Sequence, residues 1–306
     1  MSPAIEHLTL SDGYRAAVRW WRPPKPRGAV LYFHGIQSHG GWYEQSGAAL
    51  AERGYTVLMP DRRGSGLNQS QRGHVDSVDR AVADAADALD VLLAETGRPI
   101  CGAGHPTSEP SHDTGHPTGE RSGGIGQAAH VVGVSWGGKL AVCLAAQRPQ
   151  QVASLSLVAP GLFPRVDLTT AQKFRVGVAL INDRERTFPI PLNDPAYFTE
   201  NPERVRFVEN DKLLLTHVTA PFLLVTRRMD RIVRRFGETT FRNPVHMLLA
   251  GRERIIDNER TRAWLRALPS PDRRITDYPD GCHTLEFDVD PKPFLLDLSC
   301  WIDRLQ

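Results

Sequence analysis

The sequence has few cysteines, almost no net charge and no long apolar run. Its four cysteines, Cys101, Cys143, Cys282 and Cys300, form no C-x-x-C pair and carry no zinc-ligand spacing. They are expected to be free thiols in a reducing compartment. No stretch approaches the roughly 18 apolar residues of a membrane span. The N-terminal MSPAIEHLTLSDGYRAAVRWW has no apolar h-region and no cleavage signature, so a cytoplasmic protein is expected. With 37 Lys and Arg against 35 Asp and Glu, the net charge of +2 gives no push toward nucleic acid. Basic pairs such as Arg227-Arg228 and Arg234-Arg235 have acids interspersed and read as solvated faces. No concentrated basic face or aromatic recognition motif is present, and a nucleic-acid partner is not expected.

What is present is ordinary globular material. A chain of 306 residues, 41% hydrophobic and 24% charged, can bury a sizeable core as one large domain or two small ones. Residues 5–10 and 14–21 read as a hairpin around Ser-Asp-Gly. GAVLYFHG (28–35), YTVLMPD (55–61), VASLSLVAP (152–160) and VHMLLAG (245–251) are continuous apolar runs. Runs of this kind fit strands buried on both faces. Helical spacing separates them at 42–53, 78–96 and 258–268. A strand at 273–278 and a final helix at 291–304 follow. The alternation predicts an α/β fold, a mostly parallel sheet with helices on both faces.

Two segments break the rhythm. CGAGHPTSEPSHDTGHPTGERSGGIGQAAH is rich in Gly, Pro, Ser and His and repeats GHPT. It has too few apolar residues to offset its ordering entropy and is expected to form a flexible insert at about 101–129. His105, His112, Asp113 and His116 lie there, but loop histidines without ligand spacing imply no metal. Residues 161–243 carry Pro-rich connections, aromatic residues and basic helical stretches. Residues 210–236 read as helical, with Pro221 arguing for a break or a helix start. The segment lies between two sheet strands and is expected to be an inserted cap. The core then comprises 1–160 and 244–306.

Gly133-Val-Ser135-Trp-Gly137 matches G-x-S-x-G between an apolar strand and an Ala-rich helix, the context that this motif requires. The turn must be sharp, so the flanking positions must be small. The helix that follows aims its N–H groups and positive dipole end at the serine. A serine hydroxyl needs a base, and with this motif the chain order is serine, acid, histidine. Of the eleven histidines, His283 in DGCHTLE alone lies between the last strand and the final helix. An oxyanion hole needs two donors: the backbone N–H of Trp136, after the serine, and that of Ile36, in the loop after 28–35. His34 is expected to brace that loop. The acid lies in GRERIIDN (251–258), which offers both Glu253 and Asp257.

HGIQSHGGWYEQSGAALAERGYTVLMPDRRGSGLN, GVSWGGKLA, GRERIIDN and YPDGCHTLEF, in this order, resemble the monoacylglycerol lipase and lysophospholipase branch of the α/β-hydrolases. The resemblance spans roughly residues 5–304 and is weakest in the insert and the cap. It implies an α/β-hydrolase fold and hydrolysis of single-chain lipid esters without a cofactor or metal. The family's acid is the first of D-R-x-x-D, which here is Glu253 in Glu253-Arg-Ile-Ile-Asp257, 30 residues before His283. Asp257 matches the second, non-catalytic acid. Asp230 in MDRIV mimics the motif but precedes VHMLLAG and is assigned to a cap helix. Trp136 stands where the family often has Met, and its indole is expected to pack beneath the cap.

The implied partner is a small-molecule ester or lipid, with transient membrane-surface contact through the cap. Short-chain carboxylesterase and lysophospholipase readings stand beside it. A non-catalytic ligand-binding protein on this fold would lose a triad member, and all three positions here hold competent residues.

Overall fold

The computed structural model of the chain describes residues 1–97 and 128–305. The expected insert and Cys101 fall almost wholly outside them. Its last expected residue, Ala129, already belongs to a strand. Among the described residues Cys143, Cys282 and Cys300 are free thiols.

The elements run β1 (Ala4–Thr9), β2 (Arg15–Trp21), β3 (Gly28–Phe33), α1 (Glu44–Glu52), β4 (Tyr55–Pro60), α2 (Val78–Thr96), β5 (Ala129–Val134), α3 (Trp136–Gln147) and β6 (Val152–Val158). After β6 the chain leaves the sheet for α4 (Thr170–Asn182), β7 (Thr187–Pro189), α5 (Pro202–Asn210), β8 (His217–Thr219) and α6 (Ala220–Arg235). It returns with β9 (Val245–Ala250), α7 (Asn258–Ala267), β10 (Arg273–Tyr278) and α8 (Lys292–Asp303).

Eight strands form one sheet in the order β1-β2-β4-β3-β5-β6-β9-β10. β1 and β2 pair antiparallel, and so do β2 and β4; the others pair parallel. Every residue of β5 and β9 is buried, as continuous apolar runs require of strands covered on both faces. β3 leads out to β4, and the chain then crosses back past β3 to β5. Right-handed crossovers therefore place α1 on one face and α2 and α3 on the other. In agreement, α1 packs on α8 and α2 on α3. The reversal leaves a switch point between β3 and β5, where parallel sheets present their loops to ligands.

One sequence expectation needs correction. Within 210–236, which read as helical, residues 211–219 are not helical, while the helix start expected at Pro221 is present. α5 ends at Asn210, β8 pairs antiparallel with β7, and α6 starts at Ala220 with Pro221 in its first turn. A proline costs nothing there because the first-turn N–H groups have no helical partner. The Thr219 hydroxyl caps the helix by accepting from the Phe222 N–H.

Candidate active site

β5 ends at Val134 and α3 begins at Trp136, so Ser135 alone makes the turn. Its backbone sits at φ 52 and ψ −119, a left-handed conformation that L-residues adopt at a cost of roughly 1–3 kcal/mol. The neighbours hold it there. Ser135 N–H donates to the Val158 carbonyl at 3.0 Å, and its own carbonyl accepts from Gly138 and Gly161. The glycines are required by close approach. A Cβ on Gly133 would lie 2.6 Å from the Gly137 carbonyl oxygen, and one on Gly137 would lie 2.4 Å from that of Phe33.

The loop after β3 lies against the serine: a Cβ on Gly35 would sit 3.4 Å from the Ser135 Cβ. The orientation of this loop is set by groups behind it. The Gly35 carbonyl accepts from His34 Nδ1 at 2.8 Å and from Arg62 Nη1 at 3.1 Å, and Arg62 Nη2 donates to the Ile36 carbonyl at 2.8 Å. A trans peptide points its N–H opposite to its C=O. Turning the Gly35 carbonyl toward Arg62 therefore turns the Ile36 N–H away from it. That N–H donates to no described residue. The Trp136 N–H, first in α3, has no partner within its helix. His34 Nε2 accepts from the Arg62 N–H at 2.9 Å, so His34 is the neutral Nδ1–H tautomer. Burial, with Arg62 next in effect, holds its pKa well below the usual imidazole range. His34 thus braces the loop. Arg62, the guanidinium that orients both carbonyls, escaped sequence reading, because a basic pair after a strand reads as a solvated loop.

The acid and the histidine leave adjacent parallel strands, with Ala250 of β9 paired to Tyr278 of β10. Their loops stay joined: Gly251 N–H donates to the Tyr278 carbonyl at 2.7 Å and Arg252 N–H to that of Gly281 at 3.0 Å. Gly251 permits this, since a Cβ there would lie 2.2 Å from the Pro279 carbonyl oxygen. The result is a contact of 2.8 Å between Glu253 Oε2 and His283 Nδ1. Glu253 Oε1 accepts from the Ile255 and Ile256 N–H groups at 2.7 and 3.2 Å. Burial alone would raise the Glu253 pKa. The His283 charge and these hydrogen bonds outweigh it, and the pKa lies below the ordinary carboxylate value. An ionised carboxylate only accepts, so His283 Nδ1 is the donor in this pair.

His283 Nε2 is buried and has no hydrogen-bond partner among the described residues. A Ser135–His283 hydrogen bond is therefore not made in this conformation; such bonds commonly tighten only with substrate bound. Asp257 does not reach the histidine. Its carboxylate caps α7 by accepting from the Arg260 N–H at 3.0 Å. Asp230 lies on α6 and pairs with Lys139 at 2.5 Å.

Ser135, Ile36 and Trp136 line a cavity of about 410 Å³ whose other walls are mostly apolar, with Val176 and Leu180 of α4, Leu223 of α6 and Ile255 among them. His283 is not part of the lining. Trp136 both packs and lines. Its indole stacks on Phe222 at 5.4 Å and its Nε1–H donates to the Thr226 hydroxyl at 3.0 Å, beneath α6.

A second carboxyl lies three residues beyond His283. Glu286 is fully buried and accepts from the Gln45 and Ser46 N–H groups at 2.8 and 3.1 Å, at the start of α1, and pairs with the Ser46 hydroxyl. Burial outweighs these donors and pushes its pKa up to about 7. The folded protein therefore holds this proton more tightly than the unfolded chain. Its contribution is full below the unfolded pKa and is lost as pH rises toward 7. Glu286→Gln, which keeps the shape and both kinds of hydrogen bond, should remove that slope and leave the variant more stable at pH 8. The gain should be up to about 3 kcal/mol at roughly 1.4 kcal/mol per pKa unit. Urea midpoints of both proteins from pH 5 to 8 test this; parallel curves would refute it.

Residues 24–106 and 120–290 match the serine aminopeptidase S33 family, Hydrolase_4. The chain belongs to this family. Its sequence is 21% identical to the monoglyceride lipase of Homo sapiens over 289 residues, covering 93% of this chain and 85% of the relative. The fold is similar to that of a soluble variant of monoglyceride lipase from Saccharomyces cerevisiae in complex with a substrate analogue. There the TM-score is 0.81 at 16% identity, over 100% of this chain and 96% of the other. It is also similar to the Paleococcus ferrophilus monoacylglycerol lipase, with a TM-score of 0.74 at 19% identity, over 96% and 100%. The expected α/β-hydrolase fold is thus observed, and the similarity falls on the branch that the motifs implied. Among the described residues no helix is long and apolar enough to cross a membrane.

Proposed function

We propose that this family member hydrolyses carboxylic esters of single-chain lipids, monoacylglycerols among them, through an acyl-enzyme on Ser135. The observation that carries the reading is a serine on a strained turn at the wall of a mostly apolar cavity of about 410 Å³, with a buried Glu253–His283 pair whose carboxylate accepts from Ile255 and Ile256, both in the wall of that cavity. His283 Nε2 takes the Ser135 proton as the hydroxyl attacks the ester carbonyl. Glu253 fixes the imidazole tautomer and stabilises the imidazolium. The Ile36 and Trp136 N–H groups hold the oxyanion, each worth about 3–4 kcal/mol on precedent for such donors. His283 then protonates the leaving alcohol, and water releases the acid by the same route.

Residues 161–243 act as the cap in this reading, over the core of 1–160 and 244–306. Their supports are the cavity walls contributed by α4 and α6 and the Asp211 carboxylate, which accepts from the Trp42 indole and bonds His39 Nε2. Phe174, Val178 and Ile181 lie on one exposed stripe of α4, Phe174 at 74% and Ile181 at 84% exposure. The spacing is helical, and the stripe would rest on a lipid surface beside the cavity.

The test is a chain-length series of monoacylglycerols and p-nitrophenyl esters, soluble and in vesicles. Rates should peak at medium or long acyl chains. Phe174→Ser/Ile181→Ser should slow hydrolysis in vesicles several-fold and leave soluble esters unaffected. A monotonic preference for acetate would replace the lipid reading by a short-chain carboxylesterase. Equal effects on both substrate forms would remove the surface contact.

A further inference from the structure

α3 reads WGGKLAVCLAAQ, and Lys139 is its only charged residue. It lies in the first turn of α3, three residues after Trp136. Helical side chains lean toward the helix N-terminus, so the Lys139 arm leans back toward the serine. The side chain is 3% exposed and Nζ lies 2.5 Å from Asp230 Oδ1 on α6. Both residues line the cavity that Ser135 lines. Outward from them Arg227 lies 3.8 Å from Asp230 and 3.9 Å from Asp167, which Lys173 contacts at 2.7 Å. All five line the same cavity, three cations against two carboxylates.

A latch between α3 and α6 does not account for this pair. A buried ion pair is commonly no better for stability than apolar residues of the same volume. The two helices are already joined by the Trp136–Thr226 hydrogen bond and the Trp136–Phe222 stack. An ammonium also carries three donors, and among the described residues Lys139 Nζ has a single acceptor, Asp230. Lys139 lines a chamber whose walls are otherwise mostly apolar. A plain alkyl chain laid against the ammonium would leave its remaining donors unpaired, at about 1–3 kcal/mol.

We propose that Lys139 and Asp230 form a polar subsite for an oxygen on the acyl chain of the substrate: a hydroxyl, keto or carboxylate group a few carbons from the ester carbonyl. The spacing follows from the helical rise from Trp136 to Lys139, three residues at 1.5 Å each, about 4.5 Å. Lys139 donates to the oxygen while Asp230 holds the ammonium in place, and a hydroxyl can also donate to Asp230. The slight excess of cations accommodates a carboxylate. The inference rests on the ester-hydrolase reading of Ser135 and deepens it.

The experiment compares p-nitrophenyl hexanoate with its 6-hydroxy and 5-oxo analogues and with the p-nitrophenyl monoester of adipic acid. The wild type should favour at least one oxygenated ester by ten-fold or more in kcat/KM. Lys139→Met/Asp230→Leu, which replaces the pair by apolar side chains, should abolish or invert that preference while still hydrolysing the hexanoate. Asp230→Asn keeps an acceptor for Lys139 and removes one negative charge. It should favour the adipate ester over the hydroxy ester several-fold relative to wild type, and it serves if the double variant does not fold.

A wild type that prefers the hexanoate overturns the subsite while leaving the hydrolase reading intact, and so does an unchanged preference in both variants. Hydrolysis of none of the esters by folded wild type overturns both.

Discussion

Ser135→Ala is expected to lower kcat/KM for ester hydrolysis by about 10⁴-fold or more, with the fold intact. Losing the nucleophile of such a site typically costs up to roughly 10⁶ in kcat, and the residual rate comes from binding and the oxyanion donors. The side chain is small and the local backbone is held by main-chain bonds to Val158, Gly138 and Gly161. Alanine therefore changes little but the chemistry. Steady-state rates with circular dichroism separate the two. A folded Ser135→Ala protein that keeps more than a tenth of wild-type activity would rule the serine out.

The second large effect is at Glu253. Glu253→Gln keeps the volume but presents an amide to His283. The amide can favour the wrong imidazole tautomer, with the proton on Nε2, and the base is then lost. The comparable change in serine proteases costs about 10⁴ in kcat, and a similar loss is expected here. Asp257→Ala should cost about 1 kcal/mol of stability through the lost cap on α7 and change kcat by no more than a few-fold. The comparison is made on kcat and on the urea midpoint together. Equal, large losses of kcat in both folded variants would contradict the separate roles assigned to the two acids.

Much of the core was legible because its signals are local. Continuous apolar runs at 28–33, 55–60 and 245–250 can be stable only as strands covered on both faces. Gly133 and Gly137 announce a turn at which backbone atoms nearly touch. Legibility ended where contacts are long-range. Nothing near Lys139 in sequence signals Asp230, 91 residues away. Nothing near Arg62 signals that its guanidinium will face inward to two loop carbonyls. The helical reading of 210–236 holds from Ala220, where Pro221 marks the start, but missed the stretch before it, because β8 is only three residues long and is formed by pairing with β7, and such a strand has no period of its own. Glu253 and Asp257 are indistinguishable by residue type. Their environments differ because Gly251 brings one loop against Pro279 while the next residues turn into α7.

The most direct measurement of the central claim is the intact mass of the protein after exposure to an alkyl fluorophosphonate, followed by peptide mapping. One adduct per chain is predicted, on Ser135, absent in Ser135→Ala and formed far more slowly in Glu253→Gln. No adduct on folded protein, or an adduct on another residue that persists in Ser135→Ala, would contradict acyl transfer through this serine.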